Sequence, residues 1–403
     1  MSKKIAIVSS SCPPLSAGGV ASSHYHLYRA LTQKGFQVRL YTFEDYQVAL
    51  NENGVTRMGM SPGLVNGLRR LIGWYFRIVD PSKIVYHFAD VAVSAWPCMR
   101  LNSAIRDFQP DVLILPDHGC PGLFIAKPKG CRTILISHHN PARFLNNPLW
   151  GLHSERDARL AVACENKVLR KVDAVVCPSQ YMQEMFNKTY VYSGPVTVIP
   201  NMVDVELIAS ISSHDIRGKL ALPDDSVVIY IPSAGSEYKG SRFVFEIVRR
   251  ISSYATKDIG FYLSGSITPM LAYELRFAPS NAKIYAPGQV NYPENLAIVK
   301  ACSFGISPTL IENFGMALLE ASICGVPMVA FDVGGNADVV SNGRSGVLVP
   351  FLDFEALIQS ACRLLDAEYR ANLRSEAVSY AADRFSSDLT VEKFVSLMQK
   401  LPS

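Results

Sequence analysis

Short runs rich in Val, Ile and Leu alternate with helix-periodic stretches along almost the whole chain, and this alternation limits the fold more than any other feature. Strand-length apolar runs, each followed by a helix, favour parallel sheets covered by helices. In the first half the expected strands are Ile5–Ser9, Gln37–Thr42, Asp111–Leu115, Thr133–Ser137, Ala174–Cys177 and Val196–Pro200. In the second half they are Val227–Ile231, Gly260–Ser264, Lys283–Ala286, Phe304–Ser307, Pro327–Phe331 and Gly346–Val349. Two comparable sets imply an α/β chain of two doubly wound domains, whose ligands bind beyond the carboxyl ends of the strands. At 403 residues the chain is long enough to give each domain its own core.

Several classes are disfavoured at this level. The chain is 49% hydrophobic and 18% charged, which argues against disorder. It has no apolar run long enough for a transmembrane helix. The N-terminal Met1-Ser2-Lys3-Lys4 leads directly into a strand rather than a secretion signal. Nine cysteines are scattered without Cys-x-x-Cys pairs, which suggests reduced thiols in a cytoplasmic protein. A net charge of +4 does not imply nucleic acid as a partner. There is no Gly-x-Gly-x-x-Gly or Walker sequence, so no dinucleotide or P-loop site is indicated.

One stretch concentrates chemistry. Glu312-Asn313-Phe314-Gly315-Met316-Ala317-Leu318-Leu319-Glu320 places two carboxylates eight residues apart, the first in a loop and the second in an Ala/Leu-rich helix from Met316 to roughly Ile323. At ~1.5 Å rise per residue the acids would lie roughly 10 Å apart along the axis. Free N–H groups of Phe314 and Gly315 at the helix start would form an anion site between them. Acid, anion site and acid together suit a sugar nucleotide: hydroxyls at one end, diphosphate in the middle, ribose at the other.

The surroundings carry a resemblance. Pro308, Glu312, Phe314, Gly315, Glu320, Ala321, Gly325, Pro327, Val329, Ala330, Gly334 and Gly335 follow in order, with Asp338 after them. This series resembles the donor segment of the retaining glycosyltransferases of family 4, which have the GT-B fold: two Rossmann-like domains facing a central cleft. Val198-Ile199-Pro200-Asn201-Met202-Val203-Asp204 is similar to the family's linker, with Met202 where Gly is usual. The resemblance therefore implies an acceptor-side domain over 1–203, a donor domain over 204–385, and a terminal helix, 386–403, that returns to the first domain.

By the same resemblance Glu312 would hold sugar hydroxyls and Glu320 the ribose. Asn313 and the amides of Phe314 and Gly315 would serve the donor. Lys239, in Ser233-Ala234-Gly235-Ser236-Glu237-Tyr238-Lys239-Gly240, matches a diphosphate-binding lysine. The arginine that usually precedes it is replaced by Ala234, or by Ser233 with a shift, and Arg242 is the nearest substitute. Gly18 and Gly19, between the first strand and its helix, would approach the donor diphosphate. His139, in Ser137-His138-His139-Asn140-Pro141, would approach the sugar or acceptor, and His118 is a weaker partner for the same place. Glu165 and Asp173 read as structural.

The sequence reading is thus a metal-independent, cofactor-free retaining glycosyltransferase using a nucleotide-diphosphate sugar, with an unknown acceptor, in glycan, polysaccharide or glycoconjugate biosynthesis. The alternatives are a sugar-nucleotide epimerase of the same fold, or a catalytically weak sugar-nucleotide-binding partner protein. The expected location is the cytoplasm. A stripe over 63–79 (Leu64, Leu68, Leu71, Ile72, Tyr75, Ile78 and Val79, with Arg69, Arg70 and Arg77 on other faces) leaves open a peripheral contact with the inner face of a membrane.

Overall fold

A computed structural model of the protein describes residues 3–13, 19–46, 54–81, 83–145, 149 and 151–401. The chain divides into two compact units, Met1–Met202 with Ser387–Ser403, and Val203–Ser386. Each is built on one wholly parallel sheet.

The first sheet comprises β1 (Lys4–Ser9), β2 (Gln37–Thr42), β3 (Val55–Arg57), β4 (Val112–Pro116), β5 (Arg132–Ile136), β6 (Ala174–Cys177) and β7 (Val196–Val198). Their order is β3-β2-β1-β4-β5-β6-β7. β1 and β4 are therefore neighbours from which the chain winds outward in opposite directions, the arrangement that opens a crevice at the strand ends. β3 was not among the strands expected from sequence. Its three residues, Val-Thr-Arg, are too few to show a period, and only pairing of Leu40–Thr42 with Val55–Arg57 makes them a strand.

The second sheet comprises β8 (Val228–Ile231), β9 (Ile259–Leu263), β10 (Ala282–Tyr285), β11 (Phe304–Ser307), β12 (Met328–Phe331) and β13 (Gly346–Val349). Their order, β10-β9-β8-β11-β12-β13, puts the same reversal between β8 and β11. The four inner strands, β8, β9, β11 and β12, are buried on both faces, which is why they read as unbroken apolar runs rather than alternating ones.

The terminal helix Ser387–Lys400 belongs to the first unit. Its Val391, Phe394, Leu397 and Met398 share a core with Leu27, Leu31, Ile199 and Met202, and Arg132 Nη1 donates to the Met398 carbonyl at 2.7 Å. Met202 is buried here, so the side chain at this unusual position fills core volume. Because Phe394 is almost fully enclosed, Phe394→Ala should cost ~3 kcal/mol of unfolding free energy. Urea denaturation checks this, and a loss below ~1 kcal/mol would mean that the helix does not anchor the first core.

Candidate active site

The loops that leave β8 and β11 meet beyond the strand ends of the second sheet. Leu310 N–H donates to the Tyr238 carbonyl at 2.9 Å, and the Thr309 hydroxyl donates to the same carbonyl at 3.3 Å. Gly240, at φ 82°, lets the Pro308 carbonyl oxygen pass 2.1 Å from where a Cβ would stand. No other residue type allows this approach. The two loops are thereby stitched together, and they carry Lys239 and Glu312.

Lys239 Nζ lies 2.6 Å from Glu312 Oε2. Glu312 also accepts from the Asn313 N–H at 3.1 Å, and the Gly315 N–H is turned toward its carboxylate. Burial alone would raise the Glu312 carboxyl. The Lys239 charge and hydrogen bond, with the two amides, outweigh it and hold the group below its ordinary value. This differs from the arrangement expected from sequence, in which Lys239 and the Gly315 amide faced an open anion site. Both are committed to the acid, because an ionised carboxylate with a side chain only 14% exposed needs cationic and N–H partners.

A second clamp lies behind the acid. Gly334, at φ 58°, brings its backbone so close that a Cβ would sit 1.9 Å from the Glu312 carbonyl oxygen, and Gly335 N–H donates to that oxygen at 3.2 Å. The Met316–Ile323 helix follows, starting after Gly315 at φ 91°. The Phe314 ring is buried against Phe385, with ring centroids 5.6 Å apart, so only the backbone of this residue is available to a ligand.

Glu320 lies within that helix, beside Tyr292 and Tyr230. Its carboxyl is pushed up to about 7 by burial, which the Tyr292 hydroxyl only partly offsets. The two acids thus have opposite environments: Glu312 is held ionised by a cation, whereas Glu320 rests among phenols.

Ala234, where the resemblance called for arginine, is buried in an apolar core, and Ser233 precedes it at φ 49°. The deficit is therefore one of position as well as charge, since a guanidinium at 234 would have no solvated exit. Arg242 is turned to Glu237, at 3.5 Å.

At the strand ends of the first unit, His139 lies among His118, His87 and Phe144, with ring centroids 5.0, 5.1 and 5.6 Å away. Burial, followed by His118, His87 and Arg143, drives its imidazole well below the ordinary value, so it is neutral at physiological pH. The residue that orders this region was not singled out from sequence. Asp117, at the end of β4, accepts from the His118 N–H at 2.8 Å, the His139 N–H at 2.7 Å and the Ser137 hydroxyl at 3.1 Å. An acid directly after the apolar run Leu113-Ile114-Leu115-Pro116 was the available signal. Asn201 is a second such residue: its Oδ1 accepts from Ser23 at 2.7 Å and faces His138 Nε2 at 3.2 Å.

Gly19 is exposed and opens the helix Gly19–Gln33, whereas Gly18 lies outside the described residues. Arg57, buried on β3, fixes the start of that loop by donating to the Cys12 and Pro13 carbonyls at 3.0 and 2.7 Å. Glu165 and Asp173 have structural partners: Tyr190 donates to Glu165, and Asp173 accepts from Lys127 Nζ at 2.6 Å and the Thr133 N–H at 2.6 Å.

Comparison with known proteins decides the family. Residues 17–207 match the model of Glycosyltransferase Family 4, and residues 225–367 match that of Glycosyl transferases group 1. The chain belongs to glycosyltransferase family 4. A D-inositol 3-phosphate glycosyltransferase from Stackebrandtia nassauensis is 26% identical over 302 residues, 66% of this chain and 68% of that one. One from Acidothermus cellulolyticus is 31% identical over 209 residues, 49% of this chain and 46% of that one. Among solved structures, sucrose-phosphate synthase from Thermosynechococcus elongatus superposes with a TM-score of 0.74 at 18% identity, covering 99% of this chain and 98% of that one. HepE from Anabaena, in complex with UDP and glucose, gives 0.69 at 16% identity, covering 99% and 100%. These two share the GT-B fold with the transferase. The families matched are of transferases, and nothing among them favours an epimerase.

Gly334→Ala should destabilise the second unit by about 2 kcal/mol or more, because the Glu312 carbonyl must move. A wild-type melting curve for the variant would show that this approach is not needed. Glu320 has a folded value above that of the unfolded chain, so its favourable contribution is full in acid and is lost as pH rises through about 7. Glu320→Gln should therefore raise the melting temperature relative to wild type at pH 8 and leave it nearly unchanged at pH 5. An equal difference at both pH values would exclude the raised carboxyl.

Proposed function

We propose that the transferase moves a sugar from a nucleoside-diphosphate donor to an acceptor with retention of the anomeric configuration and without a metal ion. The observation that carries this is the Lys239–Glu312 pair at the β8/β11 reversal, with Glu320 eight residues further along the same loop and helix. Ligands of doubly wound sheets gather at such reversals.

In this reading the donor diphosphate draws Lys239 away from Glu312. The lysine charge then serves the phosphate oxygens, where negative charge grows as the sugar–phosphate bond breaks. Glu312, freed of its cation, accepts hydrogen bonds from sugar hydroxyls, and the Gly315 amide is released toward the phosphate together with the Phe314 N–H. Asn313 borders the same donor. Glu320 accepts from the ribose. That role requires the carboxylate, so donor affinity should weaken as pH falls through about 7. Neutral His139 would accept or donate at a sugar or acceptor hydroxyl.

Retention follows when the acceptor oxygen attacks from the face the phosphate leaves, with the departing phosphate oxygen taking the acceptor proton. That route needs no pair of carboxylates flanking the bond, unlike sugar hydrolysis. Lys239 and helix-start amides supply the positive charge that a metal provides elsewhere, and the sequence contains no Asp-x-Asp. HepE is named in complex with UDP and glucose, so UDP-glucose is the first donor to test.

Lys239→Ala should lower kcat by about a hundredfold or more, the scale of losing one preorganised charge contact in a transition state. The readout is nucleoside diphosphate release with acceptor present. Wild-type turnover in the variant would show that another group holds the diphosphate. EDTA should leave the wild-type rate unchanged. Donor binding with no release for any acceptor would instead make the protein a sugar-nucleotide sensor.

A further inference from the structure

The helix Pro62–Val79 buries only one residue, Phe76. Leu64, Leu71, Trp74, Tyr75 and Ile78 are each more than half exposed. At 3.6 residues per turn these five share an arc of roughly 100°. The stripe expected from sequence is thus two stripes. Leu68, Ile72 and Val79 are partly covered on the packing side, and the second stripe faces outward. An apolar band containing both Trp and Tyr is costly to leave in water unless something covers it.

Beside the outward stripe runs a groove of about 470 Å³, lined by Arg69, Arg70, Arg77 and Lys83 with Asn66 and Gly73. Arg69 is held by Asp90 at 2.7 Å. Arg70, Arg77 and Lys83 are exposed and pair with no carboxylate among the described residues. Three uncompensated cations next to an aromatic-aliphatic band are complementary to a surface that is apolar within and anionic at its face. A second copy of this chain fits less well. Two-fold pairing of the stripes would bring the two sets of cations together. Among the described residues no helix is long and apolar enough to cross a membrane, so the contact would be one of lying on the surface.

We propose that this face docks on a lipid bilayer containing anionic phospholipid. Trp74, Tyr75 and the aliphatic residues enter the interfacial layer, where amphipathic rings are favoured. Arg70, Arg77 and Lys83 hold the phosphodiester of a lipid headgroup in the groove. Arg69 ties the helix to Asp90, and Asp90 faces His118 Nε2 at 3.7 Å, so the docking helix is joined to the strand-end loops of its own unit.

The test is co-sedimentation of the full chain with phosphatidylcholine vesicles, with and without about a quarter phosphatidylglycerol, while following tryptophan fluorescence. Wild type should bind the anionic vesicles with a blue shift, bind neutral vesicles far less, and dissociate as salt is raised. Each cation removed should weaken anionic binding about fivefold. Arg70→Glu with Arg77→Glu should therefore abolish the preference for anionic vesicles, and Leu71→Glu with Trp74→Glu should abolish binding to both kinds. All four positions are exposed, and unchanged melting temperatures verify the fold. If either pair unfolds, Leu64→Ser with Ile78→Ser and Lys83→Glu replace them. Failure of wild type to bind anionic vesicles overturns the proposal, as does binding that neither pair of substitutions changes. A concentration-dependent dimer, seen by light scattering and lost in Leu71→Glu with Trp74→Glu, assigns the face to a second copy and also overturns it.

Discussion

The strand-end loops of the second unit converge on one ion pair, which the backbone contacts between them hold in place. Lys239 comes from the loop after β8 and Glu312 from the loop after β11. Each would be expensive to bury alone, and their mutual neutralisation lets both sit where two parallel strands diverge. The loops are in register because backbone contacts make them so. Gly240 passes the Pro308 carbonyl, Tyr238 accepts from Leu310, and Gly334 presses on the carbonyl of Glu312 itself. A side chain at either glycine would separate the acid from its cation.

This pairing leaves the two side chains neutral together. In the function proposed, the phosphates of the donor would compete with Glu312 for Lys239 and so release the acid. Glu320 complements this by being expensive to ionise without a partner, because burial among phenols favours its neutral form. One carboxylate is stabilised by the protein, and the other by whatever donates hydrogen bonds to it.

Much of the architecture was legible. The twelve apolar runs read from sequence correspond to β1, β2 and β4 to β13, and the inner strands among them, buried on both faces, need no alternation to be seen. β3 escaped, since an edge strand of three residues is defined by its neighbour rather than its own pattern. The helix beginning at Met316 was visible from its Ala/Leu content. The 63–79 stripe was read as one face, whereas tertiary packing covers only part of it. Asp117 and Asn201 also escaped. A single polar residue has no periodicity, and the importance of each arises from the two groups it gathers from distant segments, Ser137 and His139 for Asp117 and Ser23 and His138 for Asn201.

What the sequence by itself determined is the alternation of buried strands with helices, the family-like order of Glu312, Phe314, Gly315 and Glu320, and the absence of an arginine before Lys239. Those are local facts, written in composition and spacing. Tertiary structure alone decided that Lys239 and Gly315 turn to Glu312, that position 234 faces an apolar core, and that Glu320 sits among tyrosines. The reason is that the groups that set charge state, Lys239 for Glu312 and Tyr230 and Tyr292 for Glu320, lie tens of residues away in sequence and come close only when the strands take their order.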